Sequence, residues 1–468
     1  MPKNIPTWVK HAIFYQIFPD RFFNGDLSND PENVQSWGSK PNLWGFQGGD
    51  LAGIIKKIDY LIELGVNAIY LNPIFRAASN HRYDTVDYYQ IDPKLGNLDT
   101  FNELVKIAHK NEIKIILDGV FNHTGRGFFA FNDLLENGEH SPYRYWYHVY
   151  HFPIDAYSPG KAKDFAAWWG FKSLPKLNTD HPPVREYLQG VAKYWIEQGA
   201  DGWRLDVPNE IDDESFWSEF QEIVEKTNPN AYICGEIWEA DSTWIENGFF
   251  DGLMNYPLRT TIIDLLQAKI TPSAFLQQVN NLLQNYPDQN RYTMFNLLGS
   301  HDTERIRTIL NDDFSLIQLA YLFLFTFIGA PVIYYGDEIG IRGGKDPESR
   351  RAFPWDEYQW ELPLKQKIEK IIHLRRIFPA LRLGEFIPLD HDDKNQVFSY
   401  ARTYENSAFI MVFNCSEKNQ NLDISLKQIK LNNQTRFNNL LGDEFFQINL
   451  SNKSISVLIP PKTGYILH

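Results

Sequence analysis

Eight short, apolar, β-rich runs recur along this chain, at residues 12–19, 68–73, 114–120, 202–208, 232–237, 251–256, 294–300 and 332–336, separated by longer stretches. Strands spaced in this way pair in parallel, because a parallel neighbour can be reached only through a crossover long enough to hold a helix. Helices are expected at 51–64, 100–110, 183–198 and 214–226, the last opened by acidic residues suited to the positive end of a helix dipole. Eight such units predict an α/β fold, a (β/α)8 or TIM barrel. The most apolar stretch, 319–335, reads LAYLFLFTFIGAPVIYY. A membrane span needs about 20 apolar residues, and here Gly329, Ala330 and Pro331 divide the run into a buried helix followed by an interior strand.

A chain of 468 residues is too long for one ordinary core. The gap between the third and fourth runs is also too long for a βα loop. Residues 123–177 are rich in aromatics and His (YRYWYHVYHFP, AAWWGF) with little helical period, and an inserted subdomain leaning over the barrel mouth is expected there. The barrel then comprises 1–122 and 178–382. Beyond 383 short alternating runs separated by Asn/Asp-rich turns predict a C-terminal all-β sandwich over 383–468.

The formal charge of −14 argues against nucleic acid or an anionic membrane as partner and favours a neutral substrate. Aromatics make up 15 % of the chain, which core filling alone accounts for, although flat apolar faces also suit sugar C–H groups. The two cysteines, Cys234 and Cys415, lie far apart and indicate no disulfide framework. No basic segment followed by an apolar run opens the chain, so a cytoplasmic protein without a secretory signal is expected.

Active sites of such barrels lie at the C-terminal ends of the strands. The third run closes in DGVFNH (118–123), the fourth in GWRLDVPNE (202–210), the fifth in CGEIWE (234–239) and the seventh in LLGSHD (297–302). A lone Asp or Glu at a strand end more often caps the following helix. Four strand ends that each present acid, His or Arg point instead to one shared acidic cleft.

Taken in order, these four segments resemble the short motifs of the α-amylase family of glycoside hydrolases. LPKLN (174–178) resembles the motif that marks the neopullulanase, cyclomaltodextrinase and maltogenic amylase branch. The resemblance runs from AIFYQIFPDRFFNGD to GDEIG, across the whole barrel. It implies a retaining glycosidase with Asp206 as nucleophile, Glu236 as general acid/base and Asp302 as third carboxylate, the first two working about 5–5.5 Å apart. Arg204 is expected to keep Asp206 ionised, and drier or more negative surroundings to raise Glu236.

The same resemblance makes His123 and His301 hydrogen-bond partners of the sugar at the cleavage point, with Asp118 positioning Arg204. Tyr83 would stack on that sugar while Asp84 orders its loop; plain loop packing is the other reading of Tyr83. Asp346 and Arg350 would contact a sugar further toward the non-reducing end. Glu210 and Trp238 would face the acceptor side, where this chain departs from the branch with Pro208 in a small-residue position and Glu239 where His is common. In NGDLSND (24–30) and GGD (48–50), the donors Asn24, Asp26, Asn29, Asp30, Gly48 and Asp50 resemble the branch's Ca²⁺ loop, although spacing alone favours an Asx-rich turn with no metal. No zinc spacing or phosphate-cradling glycine loop is present.

Members of the branch usually carry a β domain before the barrel. Here the first run begins at residue 12, so a monomer, or a dimer not built on such a domain, is expected, with a site open to large or branched glucans. The function expected is hydrolysis of α-1,4 and α-1,6 bonds in maltooligosaccharides, cyclodextrins or branched α-glucans, with transglycosylation. An exo-acting α-glucosidase or oligo-1,6-glucosidase is the second reading. A catalytically silent glucan-binding protein is the third, and the complete set of three carboxyls argues against it.

Overall fold

The computed structural model describes residues 5–430 and 435–468; residues 1–4 of the expected barrel segment and 431–434 of the expected C-terminal domain lie outside it. Its parallel strands are β1 (Phe14–Ile17), β2 (Ala68–Leu71), β3 (Lys114–Gly119), β4 (Gly202–Leu205), β5 (Tyr232–Gly235), β6 (Gly252–Leu253), β7 (Phe295–Leu297) and β8 (Ala330–Tyr334). They pair in the order β6-β5-β4-β3-β2-β1-β8-β7. A parallel bridge between Met254 and Phe295 closes the ring.

Alternation along each strand sorts the side chains. Phe14, Ala68, Ile116, Tyr232, Cys234, Met254, Phe295 and Val332 meet in one buried cluster inside the barrel. Their neighbours Tyr15, Ile69, Leu117, Trp203, Ile233 and Ile333 join the larger core under the helices. Two residues further along the inward side, chemistry replaces packing: Phe14 gives way to Gln16, Ile116 to Asp118, and Cys234 to Glu236, all buried. Strand β4 enters at Gly202, where a Cβ would lie 2.1 Å from the Tyr232 carbonyl oxygen, and its inward residue two positions on is Arg204.

Helices at Leu98–Lys110, Pro182–Glu197 and Glu214–Thr227 fall where expected, and Asn97 and Asp213 cap the first and third through side-chain oxygens. The expected helix over 51–64 is two helices, Leu51–Lys56 and Ile58–Leu64, broken at Lys57 (φ −110°, ψ 13°). There the Lys57 N–H is shared between the Gly53 and Ile54 carbonyls. The ammonium lies 4.2 Å from the Trp355 ring centre and 4.5 Å from that of Phe23, a tertiary attraction that no local pattern announces. The 319–335 stretch is the end of a helix, Phe314–Thr326, followed by β8. Among the described residues, no helix is long and apolar enough to cross a membrane.

Between β3 and β4 the chain forms a lobe whose one α-helix, Phe129–Asn137, runs against the expectation of little helical period. Its inward residues Ala130, Phe131 and Leu134 do repeat at helical spacing, but the surrounding run of aromatics hides the pattern. After the barrel comes a four-stranded antiparallel sheet of Glu385–Asp392, Val397–Tyr404, Ser407–Asn414 and Thr463–Leu467. The pair Gln420–Ser425 and Ser454–Ile459 packs on it around Val397, Ile410, Ile424, Val457 and Leu467.

Two buried arginines gather carbonyls where the barrel meets this β region. The helix Phe314–Thr326 ends with carbonyls that lack intrahelical partners. Arg375 donates to the carbonyls of Phe325, Phe327, Gly329 and Leu381, and Arg402, on the C-terminal sheet, donates to those of Thr326, Leu381 and Gly384. Replacing Arg375 by Met strands buried acceptors and is expected to remove about 3 kcal/mol or more of stability. The check is a lower Tm by differential scanning calorimetry, with far-UV circular dichroism unchanged at 20 °C or so.

Candidate active site

Strands β3, β4 and β5 are neighbours, with Asp118 in register with Arg204 and Arg204 with Cys234. That register delivers three carboxyls to one guanidinium. Arg204, fully buried, places Nη1 2.8 Å from Asp118 Oδ1 and 3.0 Å from Asp206 Oδ1, and Nη2 2.8 Å from Glu236 Oε2. Asp206 and Glu236 each lie one residue past the end of their strand. Val207, left-handed at φ 37° and ψ 52°, points its N–H at Glu236 Oε2 over 3.0 Å. Such a backbone is unusual for a β-branched residue, and strain of this kind gathers at functional sites.

A second layer of hydrogen bonds holds the floor. Asp118 Oδ2 accepts from the hydroxyls of Tyr70 (2.5 Å) and Tyr83 (2.7 Å). The Tyr83 ring lies parallel to His301 at 5.3 Å, and its hydroxyl oxygen is 2.6 Å from His301 Nε2. The amide nitrogens of Gln16 (2.9 Å) and Asn72 (3.1 Å) both face His301 Nδ1. Two N–H donors can meet only an unprotonated nitrogen, so His301 carries its proton on Nε2, 3.0 Å from Asp302 Oδ2. Burial, with Arg350 and Arg204 nearby, holds His301 well below its usual pKa and therefore neutral.

Asp302 keeps 30 % of its side chain open to the cleft and has Arg350 Nη2 at 3.6 Å. Desolvation of its inward part and the facing Glu236 raise its pKa to about 7. Burial also pushes Asp206 well up, Arg204 opposes the push, and Glu236, Asp118 and Asp302 add to it. Arg204 thus acts on Asp206 in the expected direction, against a larger push from desolvation. Arg204 is shared with Glu236, so the site titrates as a coupled set of carboxyls around one cation.

The other expected residues fall as follows. His123 is buried against the lobe, its ring stacked on Trp168 at 5.6 Å, with its pKa lowered to about 4 by desolvation. Asp84 accepts from the Ser79 N–H and hydroxyl and so ties the loop that carries Tyr83. Arg350 meets Asp346 at 3.1 Å and donates to the His301 carbonyl at 3.1 Å. Trp238 lies flat on Tyr256 at 3.7 Å and 4°, with Nε1 3.3 Å from Glu236 Oε1. Glu210 ends a short turn, Pro208–Glu210, in which Pro208 takes the favoured first position; it is the Glu210 carbonyl that is engaged, by Lys176 Nζ. The nearby GDEIG acids are structural: Asp337 pairs with buried Arg305, and Glu338 accepts from the hydroxyls of Tyr15 and Tyr60.

Gln16, Asn72, Tyr70 and Trp168 were not anticipated. A buried Gln in the middle of FYQI was the one legible sign of the first.

In the 24–50 turn, Asp50 acts as a hub, accepting from the N–H groups of Gly25, Asp26 and Gly53 and from the Asn29 amide. The Asp26 carboxylate is engaged by Ser28. Asn24 Oδ1 and Asn29 Oδ1 are buried with no partner. Gly48, at φ 83°, lies where a Cβ would fall 2.4 Å from both Asn24 Nδ2 and Asp30 Oδ1. These are hard oxygen donors suited to Ca²⁺. Its three aspartates, Asp26, Asp30 and Asp50, already accept from N–H or O–H groups, and among the described residues no cluster of three or more His, Cys, Asp or Glu forms a metal site.

The family described as alpha amylase, catalytic domain, matches residues 16–373. A cyclomaltodextrinase of a Bacillus species is 45 % identical over 412 residues, covering 87 % of this chain and 73 % of that protein. The debranching enzyme of Nostoc punctiforme superposes with a TM-score of 0.90 at 39 % identity over 100 % of both chains. Cyclic α-maltosyl-(1→6)-maltose hydrolase of Arthrobacter globiformis does so with a TM-score of 0.90 at 37 % identity over 99 % of each.

The raised pKa of Asp302 has a stability consequence. Between its ordinary value of 3.8 and about 7, the folded state holds a proton that the unfolded chain has released, so stability falls as pH rises through that window. Asp302→Asn removes this carboxyl's share of the slope and leaves that of Asp206. The variant is expected to show a higher Tm than wild type at pH 8, with the gap closing by pH 4 in a calorimetric pH series.

Proposed function

The chain belongs to the α-amylase family, and we propose that within it the protein hydrolyses α-1,4 and α-1,6 glucosidic bonds of maltooligosaccharides, cyclodextrins and branched α-glucans, with retention and with transfer to sugar acceptors. It is a glycoside hydrolase of the cyclomaltodextrinase, neopullulanase and maltogenic amylase branch. The observation that carries the reading is the pairing of Asp206 and Glu236 on one buried guanidinium beside an open third carboxyl, Asp302.

In this mechanism Asp206 attacks the anomeric carbon while protonated Glu236 gives its proton to the departing glycosidic oxygen. The glycosyl-enzyme ester is then opened by water, or by an acceptor hydroxyl, whose proton returns to Glu236. Positive charge developing on the sugar favours ionised Asp206, which Arg204 also supports. On binding, a sugar hydroxyl takes the His301 Nε2–H that otherwise faces Asp302, Asp302 accepts from neighbouring hydroxyls, and buried His123 closes the pocket on the lobe side. Trp238, backed by Tyr256, offers the leaving sugar a flat face next to Glu236.

We extend the proposal to a structural Ca²⁺ bound through Asn24, Asn29, Asp30 and the Gly48 carbonyl, with Asp26 and Asp50 shaping the turn. The unpartnered amide oxygens support it. A cytoplasmic location, consistent with two free cysteines, is part of the same reading.

Wild type incubated with β-cyclodextrin, pullulan and a branched limit dextrin should open the ring and release maltose, panose or linear chains, and Asp206→Asn should reduce the rate by about 10⁴-fold or more. Chromatography of early products decides. Glucose as sole product from short substrates would favour the exo-acting glucosidase, and activity surviving the substitution would remove Asp206 as nucleophile. Chelation of protein shown to contain metal should lower Tm by roughly 5 °C, and an unchanged melting curve would overturn the Ca²⁺ assignment.

A further inference from the structure

The lobe inserted after β3 displays aromatic surface that the catalytic scheme leaves unused. Trp169 is 70 % exposed and Phe171 52 % exposed. With Gly160, Lys161 and Gly170 they line a cleft of about 750 Å³. We infer that this cleft is a second carbohydrate site, in which Trp169 stacks against a glucose unit of an α-glucan chain whose other portion lies in the catalytic cleft. The inference rests on the glucan reading above and adds to it a site on the lobe.

Continuity with the active site is the first argument. The buried His123 ring stacks on Trp168 at 5.6 Å and 24°, and Trp168 stacks on Trp169 at 4.8 Å and 10°. Three roughly parallel rings thus lead from the catalytic pocket to the surface, so a chain leaving the pocket on the lobe side passes next to Trp169.

Rigidity is the second. The segment 174–178, LPKLN, is held between both ends of this stack. On one side the Thr124 N–H donates to the Pro175 carbonyl and the Leu177 N–H to that of Asn122. On the other, the Trp168 N–H donates to the Leu174 carbonyl and the Lys176 N–H to that of Ala166. LPKLN is therefore a strut that fixes the indoles relative to His123, and a prearranged surface loses little freedom when a sugar settles on it.

Backbone conformation is the third. Trp169 is left-handed at φ 49°, and Gly170 follows at φ 77°. A large aromatic held in that region and turned to solvent, with one face covered by Trp168 and the other open, is costly to maintain without a purpose. An indole face meets the C–H side of a pyranose ring well, and no compensating charge is required of a neutral ligand. Lys161, at the edge of the cleft, supplies donors for ring hydroxyls.

The test compares wild type, Trp169→Ala and Trp169→Phe on maltoheptaose and maltotriose. In Trp169→Ala the preference for maltoheptaose over maltotriose, as a ratio of kcat/KM, should fall about ten-fold, carried by KM for the longer sugar, and Phe should restore most of it. An unchanged ratio overturns the site. So does a change of sedimentation coefficient in Trp169→Ala with that ratio intact, which would assign the face to a second copy of the chain. If wild type turns over neither sugar, the proposed function fails separately, and calorimetric titration with maltoheptaose decides: weaker binding to Trp169→Ala than to wild type sustains the platform, and equal affinity overturns it.

Discussion

A single buried guanidinium organises this protein. Arg204 has no exposure to solvent and meets three carboxyls from three adjacent strands at 2.8 to 3.0 Å. A cation so placed is tolerated only because its partners are held rigidly, and the partners are tolerated only because of the cation. The barrel satisfies both demands. Its inward side chains are fixed by strand register, and the ring closes from β6 to β7, so the positions of Asp118, Asp206 and Glu236 around Arg204 follow from pairing rather than from loop conformation.

Around that centre, carboxylates sort into two kinds by what closes over them. Asp337 and Glu338 lie fully buried past the end of β8, Asp337 engaged by an arginine and Glu338 by two tyrosine hydroxyls. They brace the barrel through one oxygen each, Asp337 Oδ1 and Glu338 Oε1, the other oxygen of each being buried without a partner. Asp302, with a similar degree of proton affinity, is left open to the cleft and paired only with His301 and the more distant Arg350. The amides of Gln16 and Asn72 set the His301 tautomer, so this part of the site presents a neutral N–H donor next to a carboxyl, an arrangement fitted to uncharged hydroxyl groups rather than to anions.

The lobe gives the barrel mouth its asymmetry. LPKLN, a segment with no catalytic side chain of its own, joins the strand end that carries His123 to the turn that carries Trp168 and Trp169. Its two leucines face packing, whereas its backbone N–H and carbonyl groups point to both neighbours, which explains why a short motif of ordinary residues has structural weight.

Much of this was already written in the chain. The eight strands, the inserted lobe and the C-terminal sheets follow from alternation and spacing, because a period of two determines which side chains turn inward. Asp206 is picked out by the resemblance of GWRLDVPNE to a family motif, and the period of two from Gly202 through Arg204 turns it inward. Other features depended on closure of the barrel. Gln16 and His301 lie 285 residues apart and meet only because β1 and the end of β7 flank β8 in the ring. The sharing of Arg204 between Asp206 and Glu236, the break at Lys57 over two aromatic rings, the turn of Asp50 into a hub and the outward setting of Trp169 have the same origin. Local patterns decide which way a side chain faces, whereas its partner, its proton and its exposure are decided by groups that arrive from distant sequence.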